Sequence, residues 1–592
     1  MKKLSRIDIV EYLVHVMGLL TVLTVLGYVM IHYEDYVYKF HALSFFSTSG
    51  DFCLNQLQRP ASAVFYVGRF LTQCCHVPLL GVLLYLGLAL ACGWFARKTL
   101  ICRRGHLAWV VVPVVLQFLF IFRLGYRIYL YKDDAALFVV PLGFLSMLFC
   151  LWVLQQNLVR RFVAPCLVAL IGYPLFGAYS LLAMVLHIWQ SLISKTLRRD
   201  FISVCLAMVL VLAVPFVYYV LFYTHTDVHY LWLQGLPHLN FLEDMSGWWP
   251  LLASYGACML ICVLTRLPLE KYRYVGVCIA ALVYVSSAWT LRSFVFRNLH
   301  FHRQVSAERA LESHHWQELL RLTTSMPVTN DVLVAYRNIA LFHTGQLVEE
   351  CTRHSFATTP VVLGKNVYNS SLLAGPSIFF YSGFTNFAAR WASELNLFNG
   401  VSVERLKILV LTAILNKEYA VAEKYLVRLH TVPFCGKWVE RHRRMIRTGK
   451  VDDFLAGQTS LQQTSNTLFL PSGQAAHDVV YAYNFSEGEN KSVVEWRMAI
   501  ALITKTSRDF ETLYAHYVRQ HDEVPECVRY ARLLFAAQSR DSALLDYVRQ
   551  DLGTATEVVR SFDRCQQSLP KPTPDVRSYL HYYYYKHYEM PN

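Results

Sequence analysis

Up to about residue 293 the chain alternates long apolar runs with short polar segments, and beyond Asn298 this pattern stops. An α-helix of about 20 apolar residues spans the ~30 Å hydrocarbon core of a membrane, because it rises about 1.5 Å per residue. Seven runs approach or reach this length, at about 8–32, 75–96, 107–122, 136–157, 202–223, 250–266 and 275–293. The pattern predicts an all-α protein with a polytopic transmembrane domain at 1–293 and a water-soluble helical domain at 294–577.

An eighth apolar segment, 162–194, is longer than one membrane helix and contains Gly172-Tyr173-Pro174 near its middle. Proline and glycine interrupt helices, so the segment favours a hairpin of two helices. A complete hairpin gives nine membrane passes. Because 33 residues are short for two full crossings, a re-entrant hairpin that leaves the membrane on the side where it entered is the alternative.

The distribution of Lys and Arg residues supports the hairpin. With a hairpin and a cytoplasmic N-terminus, fifteen of these residues in the transmembrane domain lie on the cytoplasmic side and eight on the outer side. With a single helix the numbers become eleven and twelve, and the positive-inside bias disappears. The hairpin therefore predicts that residues 294–592 face away from the cytoplasm.

Composition agrees with a membrane protein. The chain is 55% hydrophobic and has a formal net charge of +14. Most basic residues of the first domain lie in short loops between apolar runs, where they orient membrane helices, so we expect no nucleic-acid partner. The first apolar run, Ile9–Ile31, is too long for the core of a signal peptide and no small-residue cleavage site follows it, which predicts an uncleaved anchor.

The fifteen cysteines do not predict a metal site. Seven lie inside apolar runs, where a thiol behaves as a small hydrophobic group. Cys258 and Cys262 share a helix face, but no further Cys or His stands at ligand spacing. The soluble half contains Cys351, Cys435, Cys527 and Cys565, and their spacing leaves every disulfide pairing open.

Three predicted outer loops contain candidate chemistry. Glu34 and Asp35 follow the first helix, and an amphipathic helix is predicted at 61–73 in the same loop. Arg123 and Arg127 lie one turn apart in the second loop, before Asp133 and Asp134. Polar and aromatic residues also fill the third loop, 224–249, which contains Asp227, His229, His238, Glu243 and Asp244. These loops could simply be solvated segments with an aromatic belt.

A second interpretation makes these side chains converge on a cavity at the outer membrane boundary. A carboxylate can act as a base or hold a divalent metal, and arginine pairs with phosphate. We predict Asp35 first and Glu34 second as catalytic groups, with Arg123 or Arg127 binding phosphate. Asp133 and Asp134 begin a helix and favour a structural role, and Asp51 favours a turn.

An acidic residue just after the first helix, in a long outer loop with an interfacial helix, resembles the polytopic glycosyltransferases of the GT-C type over roughly the first 80 residues. The layout from Glu34 through RPASAVFYVGRFLTQCCHVPLLG (59–81) to the helical segment 420–438 resembles an uncharacterised family of polytopic inner-membrane proteins of Bacteroidota. This second resemblance implies the same architecture and a bacterial inner membrane, and it implies no activity. In that setting the outward-facing C-terminal domain is periplasmic.

The soluble half consists of paired amphipathic segments. They lie at 306–327 and 329–347, within 403–433, within 493–520 and within 525–550. Tyr419, Ala422, Leu426 and Leu429 have the spacing of one helix face. The pairing is typical of a degenerate TPR-like α-solenoid, and an irregular helical bundle is the alternative. Residues 578–592 form a Tyr-rich tail.

Two functions remain open from the sequence. One is a glycosyltransferase that uses a polyprenyl-phosphate-linked sugar in the membrane, and the other is an envelope scaffold whose helical domain binds a protein partner. The absence of Walker A, dinucleotide-binding and nucleophile-elbow motifs argues against an ATP-driven transporter or a standard hydrolase. The transferase requires a lipid-open cavity that contains Glu34 or Asp35 and an arginine. The scaffold requires an apolar patch on the helical domain.

Overall fold

The computed structural model describes residues 6–100, 104–130, 136–156, 163–194, 197–224, 228–237, 248–267, 272–325, 330–354, 362–363, 368–462, 474–484, 490–506, 509–554 and 556–567. Asp133, Asp134, the acidic residues of the third loop and the tail 578–592 lie outside these ranges. Within them the chain is helical apart from turns and one antiparallel pair of two-residue strands, β1 (Val362–Leu363) and β2 (Tyr368–Asn369). The predicted all-α class is confirmed.

The N-terminal half folds into an apolar bundle, which we define as α1 to α13. Its helices are α1 (Arg6–His32), α2 (Glu34–Leu43), α3 (Gly50–Leu57), α4 (Ser62–Gln73), α5 (Pro78–Thr99), α6 (Val111–Phe122), α7 (Ala136–Gln155), α8 (Val163–Leu170), α9 (Gly172–Phe176), α10 (Ala178–Ile193), α11 (Leu197–Leu221), α12 (Trp249–Leu264) and α13 (Arg273–Phe294). The predicted amphipathic helix of the first loop forms as α4.

Several of these helices are compatible with a membrane protein. Five are long and apolar enough to span a bilayer: Ile9–His32, Pro78–Thr99, Ala136–Gln155, Asp200–Leu221 and Arg273–Phe294. Three shorter apolar helices cover His106–Phe122, Ala178–Ile193 and Trp249–Leu264. Large apolar side chains such as Leu83, Leu212 and Leu282 are exposed on the bundle, as expected for contact with lipid. The number of passes and their orientation stay predictions.

The segment 163–193 reverses direction at Gly177. Its backbone has φ 59° and ψ −135°, which a side chain would disfavour, and a Cβ atom there would lie 2.3 Å from the carbonyl oxygen of Gln234. The Gly177 amide donates to Tyr173 O at 2.7 Å, and the Ala178 amide donates to Gln234 O at 2.7 Å. The break therefore falls five residues after Gly172, with α8 and α9 before it and α10 after it.

Contacts at the two ends of the bundle show the path of this segment. The Gln155 side-chain amide donates to Thr99 O at 2.7 Å, and the Gln190 amide donates to the same oxygen at 3.1 Å, so α5, α7 and α10 end together. At the other end, Ser62 Oγ donates to Pro174 O at 3.0 Å. Between Gln155 and Gln190 the chain therefore runs to the opposite end of the bundle and returns.

The C-terminal half is a succession of packed helices. They are α14 (Leu299–Glu312), α15 (Trp316–Thr324), α16 (Asp331–His343), α17 (Leu347–Glu350), α18 (Ser370–Tyr381), α19 (Thr385–Asn399), α20 (Val403–Leu415), α21 (Tyr419–His430), α22 (Gly436–Thr448), α23 (Asp453–Gln462), α24 (Ala475–Asn484), α25 (Lys491–Thr504), α26 (Phe510–Gln520), α27 (Glu526–Gln538), α28 (Ser542–Leu552) and α29 (Glu557–Gln567). Most helices from α14 to α22 contact their sequence neighbours, as in a solenoid. The relation to TPR repeats stays a prediction.

Two details differ from the sequence pattern. The segment 306–327 contributes to two helices, because His314 adopts a left-handed backbone (φ 56°) between α14 and α15. On α21, Ala422, Leu426 and Leu429 are fully buried as the spacing indicates, but Tyr419 is 41% exposed. Its position in the first turn of the helix places it at the edge of the buried face.

The first loop of the bundle is built into the C-terminal half. The Val403 amide donates to Ser44 O at 3.1 Å, and the Thr48 amide donates to Thr431 O at 3.1 Å. The Ser47 and Thr431 hydroxyls are 2.8 Å apart. Since backbone groups make these bonds, the segment after α2 has a fixed place against α20 and α21. This contact positions the site described next.

Candidate functional site

Helix α2 brings Asp35, the first of the two predicted catalytic residues, to a cavity between the two halves of the chain. Its apolar residues Val37, Phe40 and Leu43 are buried in the core of the bundle. The adjoining face therefore turns towards the C-terminal half. Glu34 and Asp35 occupy the first turn, where carboxylates complement the positive end of the helix dipole.

The cavity has a volume of about 290 Å³, near the lower end of the ~300–1,000 Å³ typical of small-molecule pockets. It lies among α2, α14, α18, α20, α22 and α23. Its charged lining residues are Asp35, Lys39, Glu308, Arg309, Glu312, Glu404, Lys407, Arg441 and Asp452. Its aromatic and hydroxyl groups come from Tyr38, Ser313, His314, Ser377, Tyr381, Trp438, His442 and Phe454.

Asp35 is held by two donors from α14. Arg309 Nη1 lies 2.6 Å from Asp35 Oδ1, and Ser306 Oγ donates to Asp35 Oδ2 at 2.5 Å. The same Arg309 nitrogen lies 3.4 Å from Glu34, whose side chain is 54% exposed. The guanidinium also lies 5.0 Å from the centre of the Tyr38 ring. The Asp35 carboxylate is therefore oriented by charge-assisted hydrogen bonds and remains partly open to solvent.

A second ion pair lies further along the same helices. Lys407 Nζ is 2.5 Å from Glu312 Oε1, and the Tyr38 hydroxyl donates to Glu312 Oε2 at 3.0 Å. Burial raises the pKa of the Glu312 carboxyl, but the Lys407 charge and the two hydrogen bonds outweigh it and lower the pKa to about 2. Glu312 is consequently a fixed anion rather than a proton donor near neutral pH.

The base of the cavity is a buried lysine with two carboxylates. Lys39 Nζ lies 2.7 Å from both Glu308 Oε2 and Glu404 Oε2, and its side chain is 5% exposed. Burial lowers the pKa of Lys39, but the two carboxylates raise it above its usual value. Glu308 also accepts from the Tyr129 hydroxyl at 2.9 Å. This network joins the first loop, the segment after α6 and two helices of the C-terminal half.

Every basic side chain that lines the cavity already has a carboxylate partner. Lys39, Arg309 and Lys407 are paired as described, and Arg441 Nη2 lies 2.6 Å from Asp452 Oδ2. Four basic and five acidic side chains stand in the lining. The cavity therefore has dense polar groups but no surplus positive charge, and a phosphate would have to displace a carboxylate from its partner.

Aromatic rings line another part of the cavity. The Trp438 ring stacks on His442 with centroids 3.8 Å apart, and His314 lies 4.0 Å from Phe454. Lys407 lies 5.9 Å from the Trp438 ring centre. Partial burial is the main cause of the lowered pKa of His314 and of His442, so both rings are neutral at pH 7. A ligand would meet flat apolar faces on this side.

The structure places the sequence-predicted residues in two separate regions. Asp35 lines the cavity. Glu34 does not line the cavity, but it contacts Arg309, which does. Arg123 is exposed and stacks on Trp249, with its guanidinium carbon 5.3 Å from the ring centre. Arg127 lies in the 3-10 helix Gly125–Leu130. Neither arginine lines the cavity, so the two arginines and the two carboxylates are not brought together.

Sequence reasoning missed the residues that surround Asp35. Lys39 follows Asp35 by one helical turn, and Glu308, Arg309 and Glu312 share one face of α14, so the spacing carried a signal within each helix. The pairs Arg309–Asp35 and Glu308–Lys39 join positions more than 260 residues apart, which no local pattern reveals.

The sequence left open whether the site binds a divalent metal. Within the described ranges, no group of three or more His, Cys, Asp or Glu side chains is placed to hold a metal ion. The carboxylates of the cavity are instead bonded to basic side chains.

A family model described as a family of unknown function, DUF6057, matches residues 9–589. The chain belongs to this family. The match covers α2 and all the C-terminal helices that line the cavity, so the family is defined over both halves of the chain. No curated protein and no solved structure matches the sequence. The resemblances to GT-C glycosyltransferases and to proteins of Bacteroidota stay predictions.

Proposed function

We propose that this protein is a membrane-bound glycosyltransferase that uses a polyprenyl-phosphate-linked sugar at the outer face of a bacterial inner membrane. The observation that carries the proposal is Asp35, an oriented carboxylate at a cavity that also contains arginine and aromatic side chains. Helix α2 begins two residues after α1 ends. If α1 crosses the membrane, Asp35 lies close to the depth at which a lipid-linked phosphate would stand.

The cavity suits the saccharide acceptor better than the phosphate of the donor. A sugar presents hydroxyl groups on its edges and C–H groups on its faces. The paired charges around Lys39 and Glu312 offer hydrogen-bonding groups without net attraction for an anion, and the ring of Trp438 offers a flat apolar surface. The donor would then approach from the exposed side of Glu34.

In this reaction Asp35 acts as the general base. A hydroxyl oxygen of the acceptor attacks the anomeric carbon of the donor, and Asp35 accepts the hydroxyl proton. The bond between the anomeric carbon and the phosphate oxygen breaks, and polyprenyl phosphate leaves. Arg309 and Ser306 act as positioning residues, because they orient the carboxylate and need not touch substrate.

Lipid analysis tests this function. Cells that lack the protein should accumulate a polyprenyl-phosphate-linked sugar several-fold, because its consumption stops. Mass spectrometry of extracted lipids measures the pool, and the purified full-length protein should consume the accumulated lipid. Unchanged lipid-linked sugar pools in the deletion strain would contradict the transferase.

One observation favours the scaffold as a second candidate. Leu397 and Phe398, adjacent at the end of α19, are 86% and 51% exposed. Large exposed apolar groups often mark protein interfaces. For a scaffold that recruits a protein partner through this surface, Leu397→Ser with Phe398→Ser should abolish function in cells while Asp35→Asn retains it. The transferase predicts the reverse.

A further inference from the structure

The thiols of two cysteines in the C-terminal half donate hydrogen bonds to the same carbonyl oxygen. Cys351 follows α17, and its thiol donates to Val348 O at 3.2 Å. Cys527 lies in the first turn of α27, and its thiol donates to the same oxygen at 3.5 Å. Since both sulfurs lie within 3.5 Å of one atom, they are less than about 7 Å apart. A disulfide requires them to approach to ~2 Å.

The two thiols differ in their exposure. Cys351 is 1% exposed, and burial together with the nearby Cys527 thiol raises its pKa well above the usual value. Cys527 is half-buried. Neighbouring thiols can form and keep a disulfide in an oxidising compartment. In a reducing compartment they would stay as thiols.

We propose that Cys351 and Cys527 form a structural disulfide that joins α17 to α27. This inference rests on the outward orientation in the proposed function and is independent of the transferase chemistry. The cross-link would close a loop of more than 170 residues, and long loops gain most from closure because the unfolded chain loses the most freedom.

The bond forms by thiol–disulfide exchange with a disulfide-bonded oxidoreductase of the envelope. The Cys527 thiolate attacks the disulfide of the oxidoreductase and forms a mixed disulfide. The Cys351 thiolate then displaces the oxidoreductase from Cys527. The protein loses two electrons and two protons, and the oxidoreductase leaves as a dithiol. Because Cys351 is buried in the folded chain, the exchange takes place during folding.

Peptide mass spectrometry of the full-length protein tests the proposal. Cells are quenched in acid, free thiols are alkylated in denaturant without reductant, and the digest is searched for linked peptides. We expect a Cys351–Cys527 peptide, while Cys565 carries the alkyl group. Reduction with dithiothreitol should lower the Tm of the purified protein by several degrees, and Cys351→Ser with Cys527→Ser should remove that response. Complete alkylation of both cysteines from cells would overturn the disulfide.

A second arm separates the geometry from the compartment. Purified, reduced protein is incubated with oxidised glutathione and analysed in the same way. If the pair is alkylated in cells and also fails to link here, the geometry is wrong. If it is alkylated in cells but links here, the native disulfide is still refuted, and the C-terminal half does not face an oxidising compartment. The second result would also contradict the outer-face location in the proposed function, whereas the first would leave that function untouched. Neither result by itself tests Asp35 as the base.

Discussion

At the residue scale, the site depends on buried charged side chains that are paired with side chains of opposite charge. Lys39 is the clearest case, because burial alone would favour the neutral amine and only Glu308 and Glu404 keep it charged. A buried pair of this kind contributes little net stability compared with apolar side chains, but removal of one partner leaves an uncompensated charge. Lys39 is therefore one of the contacts that hold α2 against the C-terminal half.

Lys39→Met should destabilise the protein by about 3–5 kcal/mol, since Glu308 and Glu404 would lose their common partner. Unfolding of the purified protein in detergent measures the change. Arg390→Met is the matched control, because Arg390 pairs with Glu394 on the exposed surface of α19, and such pairs are worth about 0.3–0.5 kcal/mol. Equal effects of the two substitutions would show that Lys39 is not buried among carboxylates.

Glu312 should make the free energy of unfolding decrease at acid pH. Its folded pKa is about 2 against an ordinary value of 4.5, so its contribution is complete above pH 4.5 and is lost as pH falls from 4.5 towards 2. Glu312→Gln should lower the Tm at pH 7 and reduce the further fall in Tm between pH 5 and pH 3. A fall as steep as that of the unaltered protein would refute the lowered pKa.

The sequence indicated one residue of this site and not its surroundings. Asp35 was predicted because an acidic group directly after an apolar helix is a local signal. Arg309 and Glu404 come from helices far along the chain, and their side chains resemble the exposed charges of any amphipathic helix. Only the packing of α14 and α20 against α2 distinguishes them.

At the element scale, the hairpin at 163–193 is the feature on which orientation depends. Composition and the distribution of basic residues favoured a reversal, and Gly172-Tyr173-Pro174 was the expected break. In the structure α8 ends at Leu170 and α9 begins at Gly172, so Pro174 lies in the first turn of α9, where proline is tolerated. The chain reverses at Gly177 instead. The reversal falls at Gly177 rather than at Gly172 because Gln234 packs against Gly177, and the sequence alone does not reveal this contact.

Gly177→Ala should therefore destabilise the hairpin by about 1–3 kcal/mol or more, because the backbone conformation is strained for alanine and the new methyl group meets Gln234 O. Thermal unfolding of the purified protein measures the effect. Gly87→Ala in α5 is the control: its Cβ meets nothing within 4 Å, and alanine favours a helix by about 0.5–1 kcal/mol. A neutral Gly177→Ala variant would contradict the reversal at this residue.

At the scale of the whole molecule, the apolar pattern predicted the division into a transmembrane half and a water-soluble half. It did not predict the cavity between them. The first loop was treated as a loop of a membrane domain, although residues 44–48 bond to α20 and to the end of α21. A loop has no hydrophobic periodicity from which the helices that it contacts could be predicted. The cavity arises from this docking.

Orientation can be measured by labelling. Lys424 is exposed on α21, and Lys98 is exposed at the end of α5. With an outward C-terminal half, Lys424→Cys should react with a maleimide that crosses only the outer membrane of intact cells, above the background of the parent chain. Lys98→Cys should react only after the inner membrane is broken. The opposite pattern would reverse the predicted topology.

The most direct test of the site compares two aspartates of the first loop. Asp35 lines the cavity, whereas Asp51 is exposed in the first turn of α3, where its loss should cost at most about 0.3–1 kcal/mol. In cells that produce each variant at normal abundance, lipid-linked sugar is measured by mass spectrometry. Asp35→Asn should accumulate it as the deletion does, and Asp51→Asn should not. Normal lipid pools with Asp35→Asn would contradict the assignment of Asp35 as the catalytic base.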